Sequence, residues 1–202
     1  MLFRTFIALI GLICVYLVYD ATNIVWAKSY AYNADKNEIL SVENADLTIV
    51  EYLDYSCTHC QDLHPLLTRS LKQDGKVNYI IRPIISGQNE NGTKAAQLVY
   101  AAGQQDRFFE AHKILIENFR IIDDAYIDGL ALQIGLNAAK LREDMQSQAT
   151  QDRLQENTNS LRKFKVKTIP AILAGDRVMY EVRENLPDSQ ELLNLFTYAR
   201  AL

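Results

Sequence analysis

Cys57 and Cys60 stand two residues apart in the run Ser56-Cys57-Thr58-His59-Cys60. A Cys-x-x-Cys that follows an apolar strand and opens a helix reads as a redox motif. The spacing sets both sulfurs near the first helical turn, where they can close a small disulfide. Cys57 would meet the unpaired N–H groups and dipole of the helix start, which favour a thiolate. The thiolate is the species that attacks disulfides. His59, between the two cysteines, is placed to stabilise it as an imidazolium or through a hydrogen bond. Other uses of the pair fit less well. A structural disulfide gives no purpose to the helix-start placement. A zinc site borrowing His59 or His64 lacks a second Cys or His pair to complete four ligands. Haem attachment needs a His directly after the second cysteine, where this chain has Gln61.

Two more residues carry signal. Glu51 shares one face of a strand with Leu47, Ile49 and Leu53 by the period of two. A carboxylate on an apolar face is pushed toward its neutral form by desolvation. Six residues before Cys57, it is placed to lie beneath the motif as a proton acceptor for Cys60; a strand-edge Glu reaching solvent is the other reading. Pro170 runs straight into Ala171-Ile172-Leu173. Proline is poorly tolerated inside a central strand, and a cis Ile169–Pro170 bond at the strand start resolves the conflict; an ordinary trans proline at a loop end is the alternative.

The elements that must position these residues can be read from periodicity. Residues 47–55 (LTIVEYLDY) form a strand. Leu63, Leu66, Leu67 and Leu71 then recur at helical spacing, Pro65 should kink that helix, and Gly75 suits its end. Residues 76–83 (KVNYIIRP) read as a second strand, so a helical crossover makes the pair parallel. Residues 88–92 read as a loop, and 93–164 as four or five helices with a break near Ser147. Ala171–Ala174 and Arg177–Val182 form a hairpin about Gly175-Asp176. A last helix starts near Leu186-Pro187-Asp188, with Leu192, Leu193, Leu195 and Phe196 on its buried side. The order β-α-β, helical block, β-β-α predicts an α/β mixed sheet with helices on both faces and a helical subdomain inserted at about 90–164. His64 and His112 read as packed or surface residues, Phe108, Phe109 and Phe119 as helical core, and Asn91-Gly92-Thr93 as a chance sequon.

At 202 residues, with 49% hydrophobic and 23% charged residues, the chain is neither disordered nor a multi-span membrane protein. Lys and Arg number 21 against 25 Asp and Glu, so no basic excess exists to grip nucleic acid. Three cysteines are too few for a disulfide-scaffolded fold. Residues 1–27 read as a signal peptide or an N-terminal membrane anchor. Arg4 precedes the uncharged run Thr5–Tyr19, and Val25-Trp26-Ala27 is a passable cleavage site. Either way the remainder, which holds only Cys57 and Cys60 as cysteines, is exported; Cys14 is a small apolar residue in the run. Residues 28–45 are polar and read as a linker with a short helix about 36–42, and the folded domain spans 46–202.

The run from Val50 to Cys60 (VEYLDYSCTHC) resembles the active-site strand and helix start of DsbA-like thioredoxin-fold oxidoreductases. Thr168-Ile169-Pro170-Ala171 resembles their cis-proline loop, and the helical block resembles their inserted domain. The resemblance covers about Ala45 to Leu202 and implies a thioredoxin-like fold. It implies that Cys57 is the exposed nucleophile and Cys60 the buried resolving thiol, that Glu51 takes the place of the buried acid, that Pro170 is cis, and that Ile169 offers backbone hydrogen bonds to a bound peptide. Thr58 stands where the best-known oxidases have proline, and Ile169 where Val or Thr is commoner; both positions tune potential and partner choice.

The activity expected is thiol–disulfide exchange that introduces disulfides into reduced exported protein substrates in a periplasmic or other extracytoplasmic compartment. The disulfide itself is the only cofactor expected, and no metal. A membrane redox partner would reoxidise or reduce the pair, and the N-terminal segment is a candidate inner-membrane tether. The alternatives are a disulfide isomerase or reductase with the same site, and a non-catalytic peptide-binding chaperone that uses the groove beside Pro170.

Overall fold

The computed structural model describes residues 2–87, 89–176 and 178–202. In chain order the elements are α1 Leu2–Tyr32, β1 Ile39–Leu40, β2 Leu47–Leu53, α2 Thr58–Asp74, β3 Val77–Pro83, α3 Glu90–Gly103, α4 Phe108–Glu117, α5 Asp124–Ile134, α6 Ala138–Gln146, α7 Gln148–Lys163, β4 Ala171–Ala174, β5 Val178–Glu181 and α8 Ser189–Arg200. Among the described residues five strands lie in the order β1-β3-β2-β4-β5. β2 and β3 are parallel, and the other pairings are antiparallel. This is a thioredoxin-like fold, α/β, with helices α3 to α7 inserted between β3 and β4.

β2 is central and covered on both faces. Ile49, Glu51 and Leu53 point into a core shared with Leu63 and Leu67 of α2 and Phe196 of α8. Val50 and Tyr52 point the other way, to a second core with Ile80, Leu161 of α7 and Ala31 of α1. The period of two thus puts Glu51 on the α2 side of the sheet. The parallel register sets Glu51 beside Ile81 and Ile49 beside Tyr79.

Helix ends follow local chemistry. Gly75 closes α2 at φ 72°, a left-handed conformation that glycine takes without Cβ strain. Ser147 separates α6 from α7, and its hydroxyl accepts from the Thr150 N–H. Asp188 and Glu191 form a reciprocal capping box at the start of α8. α2 continues through Pro65 as one helix.

Several expectations need correction. Residues 28–45 are not a linker. α1 runs without interruption to Tyr32, and Ile39–Leu40 add an antiparallel edge strand to β3. The helix expected about 36–42 is absent; Lys36 to Glu38 form a turn. The reason lies in Arg82, a fully buried cation of β3. Its guanidinium donates to the carbonyls of Tyr30, Ala31 and Asn33 and, at 2.6 Å, to Glu38. Glu38 also pairs with Arg153 of α7. A buried charge demands such partners, and supplying them draws residues 30–38 onto the domain.

The expected loop at 88–92 is also shorter. α3 begins at Glu90 because the Asn89 side chain accepts from the N–H groups of Asn91 and Gly92. Gly92 belongs to the helix and is needed for close approach: a Cβ there would meet Asp54 Oδ1 at 2.5 Å and Ser56 Oγ at 2.7 Å. Gln88 of that loop, and Arg177 of the expected return strand, lie outside the described residues. Asn91 clips the loop between α4 and α5, donating to the Arg120 carbonyl and accepting from the Ile122 N–H.

Candidate active site

The C-terminal end of β2 delivers the chain into a tight turn. Asp54 is 3% exposed, and its Oδ1 accepts from the Ser56 N–H at 2.8 Å and the Ser56 hydroxyl at 2.7 Å. The Cys57 N–H donates to the Asp54 carbonyl at 3.0 Å. Cys57 is then the N-cap residue of α2, with extended backbone, and its own carbonyl accepts the first helical bonds from Cys60 and Gln61. The sequence thus puts the first sulfur outside the helix and the second one turn in.

This placement makes the two thiols unlike. Cys57 is partly exposed and Cys60 fully buried. The Cys60 thiol donates to the Cys57 sulfur, and with the backbone N–H groups of Cys60 and His59 it holds the Cys57 pKa down at about 6. Burial and the Asp54 carboxylate work against that lowering. Burial first, and then the Cys57 thiolate beside it, push Cys60 far above the ordinary thiol range. At neutral pH the reduced pair therefore consists of an ionised outer sulfur and a protonated inner one.

His59 meets Cys57 through its backbone N–H, while its side chain is exposed and makes no hydrogen bond or ion pair among the described residues. Glu51 is fully buried beneath the motif. Burial raises its pKa to about 7, a donated bond from Tyr79 pulls it back, and the Cys57 thiolate adds to the rise. Its Oε1 has no partner among the described residues. The Glu51 charge in turn raises Cys60. Glu51 and the two sulfurs thus share one electrostatic site.

Ile169–Pro170 is a cis peptide, and the Ile169 carbonyl lies 3.9 Å from Cys57 Sγ. The loop before it is fixed by Glu181 of β5, whose Oε2 accepts from the N–H groups of Lys167 and Thr168 and from the Thr168 hydroxyl. Between this loop and the β2–α2 turn runs a groove of about 540 Å³, lined by Asp54, Cys57, Ile84, Asn89, Lys167 and Ile169 among others.

Sequence reasoning missed two neighbours. Tyr79 donates its phenol to Glu51 Oε2. The alternation of β3 places it on the same face as Val77 and Ile81, so pairing the two strands by period would have found it. Asp54 tunes Cys57, and its position at a strand end before a turn was the available signal. Behind Tyr55, the His112 Nδ1 and the Tyr55 hydroxyl share a hydrogen bond of 3.0 Å, and His112 packs edge-on against His64, with ring centroids 5.0 Å apart, so both histidines are packed residues as expected. Burial holds both rings toward the neutral form.

The chain can be set beside known proteins. Residues 36–194 match the family model described as "Thioredoxin". The catalytic domain of Proteus mirabilis ScsC has a similar structure, with TM-score 0.73 and 23% identity over 90% of this chain and 98% of that one. So does the thiol-disulfide exchange protein alpha-DsbA2 of Wolbachia pipientis, with TM-score 0.71 and 21% identity over 91% and 95%. Among curated sequences, Na(+)/H(+) antiporter NhaA 1 of Salinispora arenicola is 24% identical over 71% of this chain, a match that spans only 22% of that much longer relative. The family model covers most of the chain, including the Cys57–Cys60 turn and the Pro170 loop, and the chain belongs to the thioredoxin family.

Proposed function

We propose that the protein is a thiol–disulfide oxidoreductase that introduces disulfides into reduced exported proteins through Cys57 and Cys60. The observation that carries this reading is the inequality of the two sulfurs. A substrate thiolate attacks Cys57 Sγ of the oxidised pair; the Cys57–Cys60 bond breaks, and its electron pair leaves on Cys60. Protonated Glu51 stands nearby to neutralise that sulfur. The second substrate thiolate then attacks the substrate sulfur of the mixed disulfide, and Cys57 departs as a thiolate. The substrate has lost two electrons and the enzyme has gained them. A leaving thiol of low pKa leaves faster and stabilises the reduced enzyme, which makes the oxidised form a disulfide donor. Return to the oxidised form requires a partner disulfide, for which a membrane redox protein is the natural source. There Glu51, as carboxylate, takes the proton from Cys60. Ile169 would present its backbone to a substrate strand laid in the groove, beside Pro170.

A reductase or isomerase with the same residues is the second reading. It is favoured by Asp54, whose charge opposes the Cys57 thiolate and so weakens the oxidant. Equilibration of the reduced and oxidised protein with glutathione separates the two. A potential near the DsbA value of about −120 mV marks a disulfide donor, and one near the thioredoxin value of about −270 mV a reductase. Absence of any exchange would remove the catalytic reading and leave peptide binding.

A further inference from the structure

α1 changes character at Asp20. From Leu9 to Tyr19 every side chain is exposed, and nearly all are apolar: Leu9, Ile10, Leu12, Ile13, Val15, Leu17 and Val18 look outward around the whole circumference. From Asp20 onward the same unbroken helix is bolted antiparallel to α7. Asp20 pairs with Lys165 at 2.8 Å. Lys163 donates to the Asn23 side chain and stands 4.4 Å over the Trp26 ring. Ser160 donates to the Ala27 carbonyl at 3.2 Å, and Tyr30 donates to Asn157 at 2.7 Å. Ala27 and Ala31 are fully buried in this seam. The expected cleavage site after Ala27 thus falls inside a folded interface, and removing residues 1–27 would strip half of it.

The seam also fixes a direction. Followed toward its N-terminus, α1 passes Asn157, Ser160 and Lys163 in turn and leaves the domain at Lys165, beyond the C-terminal end of α7. Val166, Lys167 and Ile169, farther along that loop, line the Cys57 groove. Lys165 to Ile169 spans at most about 14 Å of extended chain, and Ile169 O lies 3.9 Å from Cys57 Sγ. The point where the apolar helix departs and the reactive sulfur are therefore at the same end of the molecule.

We propose that α1 stays on the protein as a rigid membrane anchor and holds the Cys57 groove against the bilayer surface, so that its partners are thiols and disulfides carried by membrane-embedded proteins. Lipid is the occupant that the helix surface fits. An apolar circumference suits a bilayer, whereas pairing with a second copy needs a one-sided stripe. Leu2 to Tyr19 rises about 27 Å, close to the hydrocarbon thickness. Tyr16, Tyr19 and Trp26, then Asp20, Lys163 and Lys165, form an aromatic and charged belt where the helix meets the domain, as membrane interfaces favour. The groove half of the proposal rests on Cys57 being the exchanging sulfur.

The test uses the full chain. Expressed in cells, it should stay in membranes through alkaline carbonate washing and give the intact mass with residues 1–27 attached. A soluble chain beginning at Lys28, or a carbonate-soluble oligomer, would overturn the anchor. For orientation, the Cys14→Ala chain is placed in phosphatidylcholine–phosphatidylglycerol vesicles doped with a maleimide-headgroup lipid. Its comparator is Gln148→Cys in a Cys14→Ala, Cys57→Ser, Cys60→Ala background. Gln148 is exposed at the opposite end of α7 from Lys163. The helical rise separates the two by about 22 Å. Both proteins are first checked for a cooperative thermal transition. Each thiol's coupling to lipid is divided by its rate with soluble N-ethylmaleimide. We expect that ratio to be at least about tenfold higher at Cys57, through local concentration; equal ratios would overturn the orientation. Glutathione exchange of the same chain in detergent scores the oxidoreductase reading separately.

Discussion

The Tyr79 phenol donates to Glu51 Oε2 at a point where Tyr79 is 2% exposed and Glu51 not at all. Among the described residues it is the one bond that favours the charged carboxylate there, against burial and the Cys57 thiolate, both of which favour the neutral acid.

Stability should therefore carry the signature of a buried acid. The Glu51 pKa is about 7 in the fold against 4.5 for the free side chain. Between those values the native state binds more protons than the unfolded one, so stability falls as pH rises through the window, by up to about 3 kcal/mol. Glu51→Gln removes that slope. Tyr79→Phe removes the bond that lowers the pKa, and extends the slope to higher pH. Urea unfolding of the oxidised protein from pH 4 to 8 reads both changes free of Cys57 titration, over a window that closes somewhat lower because the thiolate that adds to the Glu51 rise is absent there. Parallel slopes for wild type and Glu51→Gln would show that Glu51 does not titrate in this window.

Cys57 should titrate in the opposite sense. Its pKa of about 6 lies below the free value of 9.0. Its thiolate therefore adds stability to the reduced form that is fully present above pH 9 and is lost as pH falls toward 6. At pH 7 about nine-tenths of Cys57 is ionised. Alkylation by iodoacetamide should level off above pH 7 and drop about tenfold by pH 5. Cys60→Ala removes the largest cause of the lowering and moves the midpoint up, whereas Asp54→Asn removes an opposing charge and moves it down. Absorbance of the thiolate near the ultraviolet edge checks the same midpoints. A rate that keeps rising through pH 8 would mean an ordinary thiol.

What the sequence revealed, and what it hid, divides by the range of the interaction. Cys57 and Cys60 at a strand–helix junction, Glu51 on an apolar face, Ser147 between two helices and Gly175 in a hairpin are local patterns, and periodicity or capping chemistry makes each legible. Tyr79 and Glu181 act on the site through partners elsewhere in the chain, and no local pattern announces them. The segment 28–45 is polar and read as a linker, because the cation that draws it in belongs to β3. Arg82 occupies a strand position whose burial only the assembled sheet reveals. Gly92 looked like part of a loop because the Asp54–Ser56 turn that needs its missing Cβ is far away in sequence.

Arg82 should accordingly be among the most sensitive positions outside the candidate site. Its guanidinium serves Glu38 and three carbonyls at the end of α1, with no solvent access. Arg82→Met keeps the length and apolar stem but takes that donor from the Ala31 and Asn33 carbonyls, leaves the Tyr30 carbonyl with the Asn33 N–H, and leaves Glu38 with Arg153 alone. Breaking a buried pair by removing one partner costs about 3–5 kcal/mol, and unfolding in urea should show a loss of that order. The double variant Arg82→Met, Glu38→Gln should recover part of it, because no buried carboxylate is then left underneutralised. Neither Arg82 nor Glu38 is among the groups that set the Cys57 pKa. The alkylation midpoint should therefore stay near its wild-type value in both variants while the unfolding midpoint moves. A shift in that alkylation midpoint would mean that the packing of α1 reaches the Cys57–Cys60 pair. A loss below about 1 kcal/mol would mean that residues 30–38 can leave the domain without cost, as surface ion pairs do.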